Sequence, residues 1–237
     1  MPELPEVETT LRGIEPHIRG KTLRSVVVRN ASLRWPVKIN QLNHLIGHEL
    51  LSVRRRSKYL LFAFTGLEER LLMHLGMSGS LMINTSANAV KKHDHIDLVF
   101  DQDVILRFND PRRFGCCLLV DADHSLLTRL GPEPLSDDFD GEVLFRASRR
   151  RKQAVKNFIM NASTVVGVGN IYASESLFSA GIRPSLAAGR ISRARYQKLA
   201  DSIRTTLSAA IQAGGTTIKS QLIGQRSSFY CPSCQRF

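Results

Sequence analysis

The sequence predicts an α+β protein: an N-terminal helix with an antiparallel β-sandwich, followed by a helical domain. Three observations carry this expectation. Apolar residues recur at helical spacing over residues 5–18. Short apolar runs, separated by polar or glycine-rich stretches, fill residues 23–120. Beyond residue 141 the spacing of apolar residues becomes helical again.

The first helix is marked by Val7, Leu11, Ile14 and Ile18, and Pro5 suits its first turn. Such a helix holds Pro2 and Glu3 at its positive end, where a negatively charged substrate is favoured. Seven strands are expected, at Leu23–Arg29, Leu50–Arg54, Tyr59–Phe64, Leu71–Leu75, Ile96–Phe100, Val104–Phe108 and Cys116–Val120. Several short strands at this spacing point to a sandwich or barrel. Residues 131–141, rich in proline, glycine and acid, read as a linker. The clearest later helix starts at a Ser192 cap and runs through Tyr196, Leu199, Ile203, Leu207 and Ile211 to Gly214-Gly215.

Charge narrows the class of partner. The 237 residues contain 33 Lys plus Arg against 21 Asp plus Glu, a net charge of +12. The cations cluster at Arg54–Arg56 with Lys58, at Arg112-Arg113, and at Arg149–Lys152 with Lys156. A chain this basic attracts polyanions, and nucleic acid comes first because phosphate neutralisation releases counterions. No apolar run approaches the length of a bilayer span, and the N-terminus lacks a signal-peptide layout. A soluble, intracellular protein with no membrane partner is expected. The four cysteines form two pairs, Cys116-Cys117 and Cys231-Pro-Ser-Cys234, neither of which suggests a secreted disulfide framework.

Chemistry enters at the second residue. Methionine before a small residue is routinely removed, which leaves the secondary amine of Pro2 at the terminus. A terminal amine has a reference pKa of about 7.7–8.0, so a useful fraction is uncharged near neutrality. An uncharged amine attacks an aldehyde-like carbon and forms an iminium, and Glu3 stands ready to move protons beside it. Pro2 and Pro5 are also ordinary shapers of a helix start.

The motifs together settle on one resemblance. Pro2-Glu-Leu-Pro-Glu-Val-Glu8, Lys58-Tyr-Leu-Leu61, His74-Leu-Gly-Met-Ser-Gly79, Asp110-Pro-Arg-Arg-Phe-Gly115, Leu130-Gly-Pro-Glu-Pro134 and Val166-Gly-Val-Gly-Asn-Ile-Tyr-Ala-Ser-Glu175 are collinear. Over residues 1–220 the chain resembles bacterial formamidopyrimidine-DNA glycosylases, bifunctional enzymes that remove oxidised purines from DNA. The resemblance implies a β-sandwich catalytic domain over 1–134, a helix–two-turn–helix domain over 135–220 and a partial zinc-finger hairpin over 221–237. It makes Pro2 the nucleophile at C1′, Glu3 the proton donor that opens the sugar, and Lys58 the lysine that contacts phosphate and assists proton transfer. Met77, Arg112 and Phe114 resemble the residues that fill the void left by a flipped base. Base extrusion costs a few kcal/mol, and apolar wedges replace the lost contacts. Lys156 and Asn170 match phosphate contacts, His74 and Arg113 stand where phosphate contact and local packing are competing roles, and Glu6 and Tyr172 match residues of the pocket. The implied partner is double-stranded DNA, bound by a cytoplasmic monomer without an organic cofactor. The endonuclease VIII type, which prefers oxidised pyrimidines, is a neighbouring reading. A non-catalytic damage-binding protein is a more distant one.

The resemblance breaks near the C-terminus. Residues 224–235 resemble the second half of a zinc-finger hairpin whose arginine, here Arg226, enters the minor groove. Structural zinc takes four ligands, and the family supplies two C-x-x-C pairs. Only Cys231 and Cys234 are present as such a pair. Cys116 and Cys117 cannot replace the other, because adjacent strand residues point to opposite faces. A few dozen family residues, including the loop over the damaged base and the first cysteine pair, are absent. The junction at Ser220-Gln221 therefore resembles an excision.

Overall fold

A computed structural model describes residues 2–214 and, as backbone alone, residues 219–223 and 226–230. It comprises two compact units, one of Met1–Glu133 with Asn161–Gly167, the other of Pro134–Met160 with Val168–Phe237.

The first unit opens on α1 (Leu4–Ile18), whose Leu4, Val7, Leu11, Ile14 and Ile18 are buried on one face. Two four-stranded antiparallel sheets follow. One has the order β1 (Leu23–Val28), β6 (Asp94–Phe100), β7 (Ile105–Asn109) and β5 (Ser80–Asn84). The other has the order β2 (Leu50–Arg56), β3 (Tyr59–Phe64), β4 (Arg70–His74) and β8 (Cys116–Val120). Their inner faces share a core that includes Leu23, Phe62, Phe64, Leu71, Phe100 and Phe108 with the apolar face of α1. Each of the seven expected strands is present. The eighth, β5, escaped the sequence reading because its apolar run is only Leu81-Met82-Ile83 and it lies at a half-exposed sheet edge. A short helix, α2 (Ile39–Asn43), precedes β2, and another, α3 (Ser125–Thr128), follows β8.

The first sheet also carries an ionic cluster. Arg107 on β7 donates from Nε and Nη2 to Asp97 on β6, at 2.9 Å each, and Arg29 donates to the same carboxylate at 2.6 Å. Burial lifts the Asp97 carboxyl, yet the bonds from Arg107 and Arg29 outweigh it and hold the group below the usual carboxylate range. Arg107 also donates to the carbonyls of Asn88 and Ala89, which ties the loop before β6 to the sheet.

The second unit is built on α4 (Gly141–Ser148), α5 (Val155–Met160), α6 (Asn170–Ala180) and α7 (Arg193–Gln212). Ser192 caps α7 as its position predicts, accepting from Arg195 N–H at 3.4 Å. Tyr196 is fully buried, with Phe145 and Phe158 edge-on to its ring and its hydroxyl donating to the Ala188 carbonyl at 2.9 Å. The proline-rich stretch is bonded at each end within its own unit. Glu133 is ion-paired to Arg55 and Arg56, Phe139 is fully buried, and Arg204 donates to the Ser136 and Phe139 carbonyls. Strands β9 (Lys219–Ile223) and β10 (Arg226–Tyr230) pair antiparallel, with Arg226 opposite Ile223. The Ser220-Gln221 junction falls within β9. Among the described residues no helix is long and apolar enough to cross a membrane.

Removing Asp97 takes from buried Arg107 its two hydrogen bonds to a carboxylate and leaves only the longer contact to Asp94 at 3.6 Å. Asp97→Ala is therefore expected to lower the unfolding free energy by about 3–5 kcal/mol, read as a lower urea midpoint at unchanged slope. A loss below about 1 kcal/mol would show that water reaches Arg107.

Candidate active site

The N-terminal end of α1 is built by a reciprocal cap. Glu3 N–H donates to Glu6 Oε2 at 2.8 Å, while the Glu3 side chain accepts from the Glu6 backbone N–H. Glu3 is 3% exposed, which is unusual for a carboxylate and places it inside the fold beside Pro2. Leu4 N–H donates to the Gly167 carbonyl at 3.1 Å. Gly167 has φ +77°, and a Cβ there would sit 2.5 Å from Leu4 Cδ1. This glycine serves as the seat of the first turn of α1.

Lys58 sits at the tip of the β2–β3 hairpin. Arg56 pairs with Tyr59, so Ser57-Lys58 is the whole connection, and Ser57 takes the left-handed φ of +58° that such tight turns need. Glu133 clamps this tip. Its Oε1 accepts from Ser57 N–H at 2.7 Å and from Arg56 at 2.9 Å, and its Oε2 accepts from Arg55 at 2.7 Å. Burial pushes the Glu133 carboxyl up, but Arg55, the Ser57 N–H and Arg56 prevail and hold it below the usual range. Burial likewise lowers the Lys58 pKa, against the attraction of the Glu3 and Glu6 carboxylates. Glu3, Glu6 and Lys58 are thus one electrostatic group at the start of α1. A partly desolvated lysine beside carboxylates holds its proton less tightly than a free one, which suits it to proton exchange.

Beside it lies a hollow of about 680 Å³, whose lining includes Arg34, His74, Met77, Arg112 and Phe114. Two turns shape it, residues 76–79 after β4 and residues 110–115 after β7. Gly76 has φ +65°, and a Cβ there would lie 2.4 Å from Gly115 N, so the backbones of the two turns touch. Their side chains project outward. Met77 is 42% and Phe114 45% exposed, and the Arg112 guanidinium lies 5.1 Å from the Phe114 ring centroid. Exposed methionine and phenylalanine side by side, under an arginine, form an apolar wedge with a hydrogen-bonding tip.

His74 closes β4 opposite Tyr59, with ring centroids 5.1 Å apart. Its Nδ1 accepts from Gly76 N–H at 2.9 Å, so the neutral ring carries its proton on Nε2 and donates from there. Burial, reinforced by Arg34 and Lys58 and opposed by Asp110, lowers its pKa from 6.5 to about 4. Arg34, exposed on the loop after β1, was missed in the sequence. Its only signal there is a cation beside Trp35, over whose ring its guanidinium lies at 4.7 Å.

The remaining sequence-predicted residues belong to the second unit. Lys156 is half-buried on α5, Asn170 is exposed as the first residue of α6, and Tyr172 is buried in the first turn of α6. Asn170 therefore stands at the positive end of a helix dipole, where negative charge is favoured. The backbone of Arg226 lies in β10, while Cys231 and Cys234 lie outside the described residues. Cys116 and Cys117 are buried in β8, and burial raises both thiols, Cys116 to about 12. No group of three or more His, Cys, Asp or Glu among the described residues could hold a metal. The basic runs divide between two uses. Arg55 and Arg56 are taken up by Glu8 and Glu133, and Arg149 packs 3.9 Å over Phe145 and donates to the Ile191 carbonyl. Arg54, Arg112, Arg113, Arg150, Arg151 and Lys152 are exposed.

Comparison with known proteins bears on what this site belongs to. The formamidopyrimidine-DNA glycosylase N-terminal domain model matches residues 1–117, and the formamidopyrimidine-DNA glycosylase H2TH domain model matches residues 130–222. The formamidopyrimidine-DNA glycosylase of Alcanivorax borkumensis is 52% identical, with both chains covered in full. That alignment spans 272 positions against 237 residues, so 35 positions have no counterpart in this chain. Among solved structures, the Lactococcus lactis formamidopyrimidine-DNA glycosylase bound to DNA with an abasic site is similar at TM-score 0.83 and 30% identity, over 99% of this chain and 100% of that one. The MutM (Fpg) protein of Thermus thermophilus is similar at TM-score 0.81 and 32% identity, over 99% and 98%. A mixed helix and antiparallel-sheet unit joined to a helix–two-turn–helix unit is the fold of a DNA glycosylase. The chain belongs to the formamidopyrimidine-DNA glycosylase family.

A histidine with a depressed pKa has a definite pH signature. Between pH 6.5 and about 4 the unfolded chain binds a proton at His74 that the folded chain refuses, so the stabilisation is full above pH 6.5 and is lost as pH falls towards 4. His74→Gln is expected to make the acid side of the stability curve shallower in that window. Titration of the His74 ring by NMR is expected to give a midpoint near 4. A midpoint at or above the ordinary histidine value would contradict the assigned burial.

Proposed function

We propose that this chain flips oxidised purines, 8-oxoguanine and formamidopyrimidines, out of double-stranded DNA, excises them through an imine at Pro2, and then cleaves the strand. Family membership makes it a base-excision repair DNA glycosylase with abasic-site lyase activity. The observation that supports the residue assignment is the convergence of buried Glu3 and desolvated Lys58 on the end of α1 that bears Pro2.

The steps follow from that arrangement. The uncharged Pro2 nitrogen attacks C1′, and the C1′–N bond to the base breaks as the base takes up a proton. Glu3 delivers a proton to the ring oxygen, which opens the sugar and leaves an iminium between Pro2 and C1′. The iminium acidifies the C2′ proton. Its removal expels the 3′ phosphate by β-elimination, and δ-elimination then expels the 5′ phosphate. Lys58 contacts the phosphate and relays protons, and hydrolysis of the imine regenerates the amine. No organic cofactor enters, because the terminal amine supplies the electron sink.

Around this centre, Met77 and Phe114 fill the vacated stack while Arg112 hydrogen-bonds the orphaned cytosine. His74, donating from Nε2, and Lys156 and Asn170 bind phosphates; Glu6 and Tyr172 line the pocket; Arg226 enters the minor groove. The enzyme works as a monomer in the cytoplasm. A structural zinc would take Cys231 and Cys234 as two of its four ligands. The residues present do not complete that set, and no chemical step runs through the metal.

The test is borohydride trapping of the methionine-free protein on duplex DNA with 8-oxoguanine opposite cytosine. An adduct at Pro2 is expected, and Pro2→Gly is expected to cut trapping and base release together. Glu3→Gln should slow excision by about a hundredfold or more without weakening DNA binding. Full base release and trapping by Pro2→Gly would refute the nucleophile.

A further inference from the structure

The wedge residues sit on two separate turns, so something must fix the distance between them. Asp110 is fully buried, and its carboxylate occupies the junction. Oδ1 accepts from Ser78 Oγ at 2.8 Å and from Arg112 N–H at 3.3 Å, and Oδ2 accepts from Gly115 N–H at 2.8 Å. Ser78 adjoins Met77 in one turn, while Arg112 and Gly115 bracket Phe114 in the other. Ser78 Oγ also lies 3.3 Å from Arg112 N. The Asp110 backbone is held as well. Its N–H donates to the His93 carbonyl at 3.0 Å, and its carbonyl accepts from Arg113 N–H at 3.2 Å and lies 2.8 Å from His95 Nε2. These bonds converge on one wholly enclosed residue behind the wedge.

Arg113, in the middle of this turn, has φ +57°, a left-handed conformation that L side chains rarely adopt. The bonds from Arg112 N–H and Gly115 N–H to one carboxylate oppose relaxation of that strain. The turn is thereby pre-set, with Arg112 and Phe114 already stacked and already spaced from Met77.

Resting on the reading of Met77, Arg112 and Phe114 as void-filling residues, we propose that Asp110, through Ser78, is the positioning residue that sets the wedge and thereby the preference for cytosine opposite the lesion. A carboxylate accepts at both oxygens at once. An asparagine there keeps one accepting oxygen; with that oxygen on the Gly115 N–H, its amide donor faces the Arg112 N–H, so that bond is lost and the Ser78 hydroxyl must turn from donating to accepting. The three side chains then lose their fixed spacing, and the contact to the orphaned base suffers first because it is directional.

The experiment uses the full chain and two variants, Ser78→Ala and Asp110→Asn, with their double variant. Single-turnover excision of 8-oxoguanine is measured opposite cytosine and opposite adenine, alongside cleavage of a preformed abasic site, where no base has to be excised. Asp110→Asn is expected to slow excision opposite cytosine about tenfold or more, and to shrink the cytosine-over-adenine ratio severalfold. Ser78→Ala should move both in the same direction. Because the two residues share one bond, the double variant should be no worse than Asp110→Asn alone. Equal losses on all three substrates would make Asp110 a purely structural residue and overturn the proposal, as would an unchanged cytosine-over-adenine ratio. If the unsubstituted protein forms no borohydride adduct on the abasic duplex, the catalytic reading has failed instead.

Discussion

The hairpin tip that carries Lys58 in the first unit hangs on a single carboxylate, Glu133. It sits behind the Ser57-Lys58 turn and ties together the last two residues of β2, the turn itself and the start of the proline-rich stretch. A two-residue hairpin with a non-glycine residue at positive φ is not self-sustaining. The surrounding bonds hold it, and Lys58 is placed by that constraint. Arg55 doubles the effect, since it also pairs with Glu8 on α1 at 2.9 Å and so links the hairpin to the helix that carries Pro2 and Glu3. The hairpin tip that carries Lys58 and the helix that follows Pro2 and Glu3 are therefore joined by one chain of ion pairs: Glu8, Arg55, Glu133, Arg56.

The same ion pairs change how the net positive charge is understood. A count of cations attracts attention to the whole Arg54–Arg56 run, yet two of its three members face inward. Arg149 is likewise held by packing and a backbone carbonyl. What is left for a polyanion is a sparser, better-placed set that includes Arg34 and Arg112 on the rim of the hollow. Electrostatic steering depends on where charge is exposed, so the inward pairs contribute to the fold and the rim to binding.

Much of this was legible in the sequence. The α1 helix follows from its 3.6-residue period and seven strands from short apolar runs at regular spacing, and the Ser192 cap is local chemistry. The edge strand β5 was not, because three apolar residues at a half-exposed edge give no periodic signal. Pro2, Glu3 and Lys58 were legible as motif residues, but no pattern announces that Glu3 is nearly inaccessible or that Lys58 is desolvated. Burial is a property of neighbours remote in the chain. Asp110 illustrates the limit. In sequence it is one acid before a proline, and its standing as an acceptor for two turns depends on Ser78, 32 positions away. Gly167 is one glycine of a glycine-rich turn in the sequence, and nothing there shows that Leu4 packs against it.

The Leu4–Gly167 contact bears on the order in which the protein can be made. Residues 161–167 belong to the first unit although the whole of α4 and α5 separates them from Glu133. A chain emerging from the ribosome reaches the end of β8 with all eight sandwich strands synthesised, yet α1 still lacks the carbonyl that receives Leu4 N–H and the glycine that accommodates its side chain. Helix α1 is therefore seated only after α5 has been translated. Until then the end of the chain that bears Pro2 lacks its finished surroundings, and the first unit is completed only once the opening helices of the second have been made.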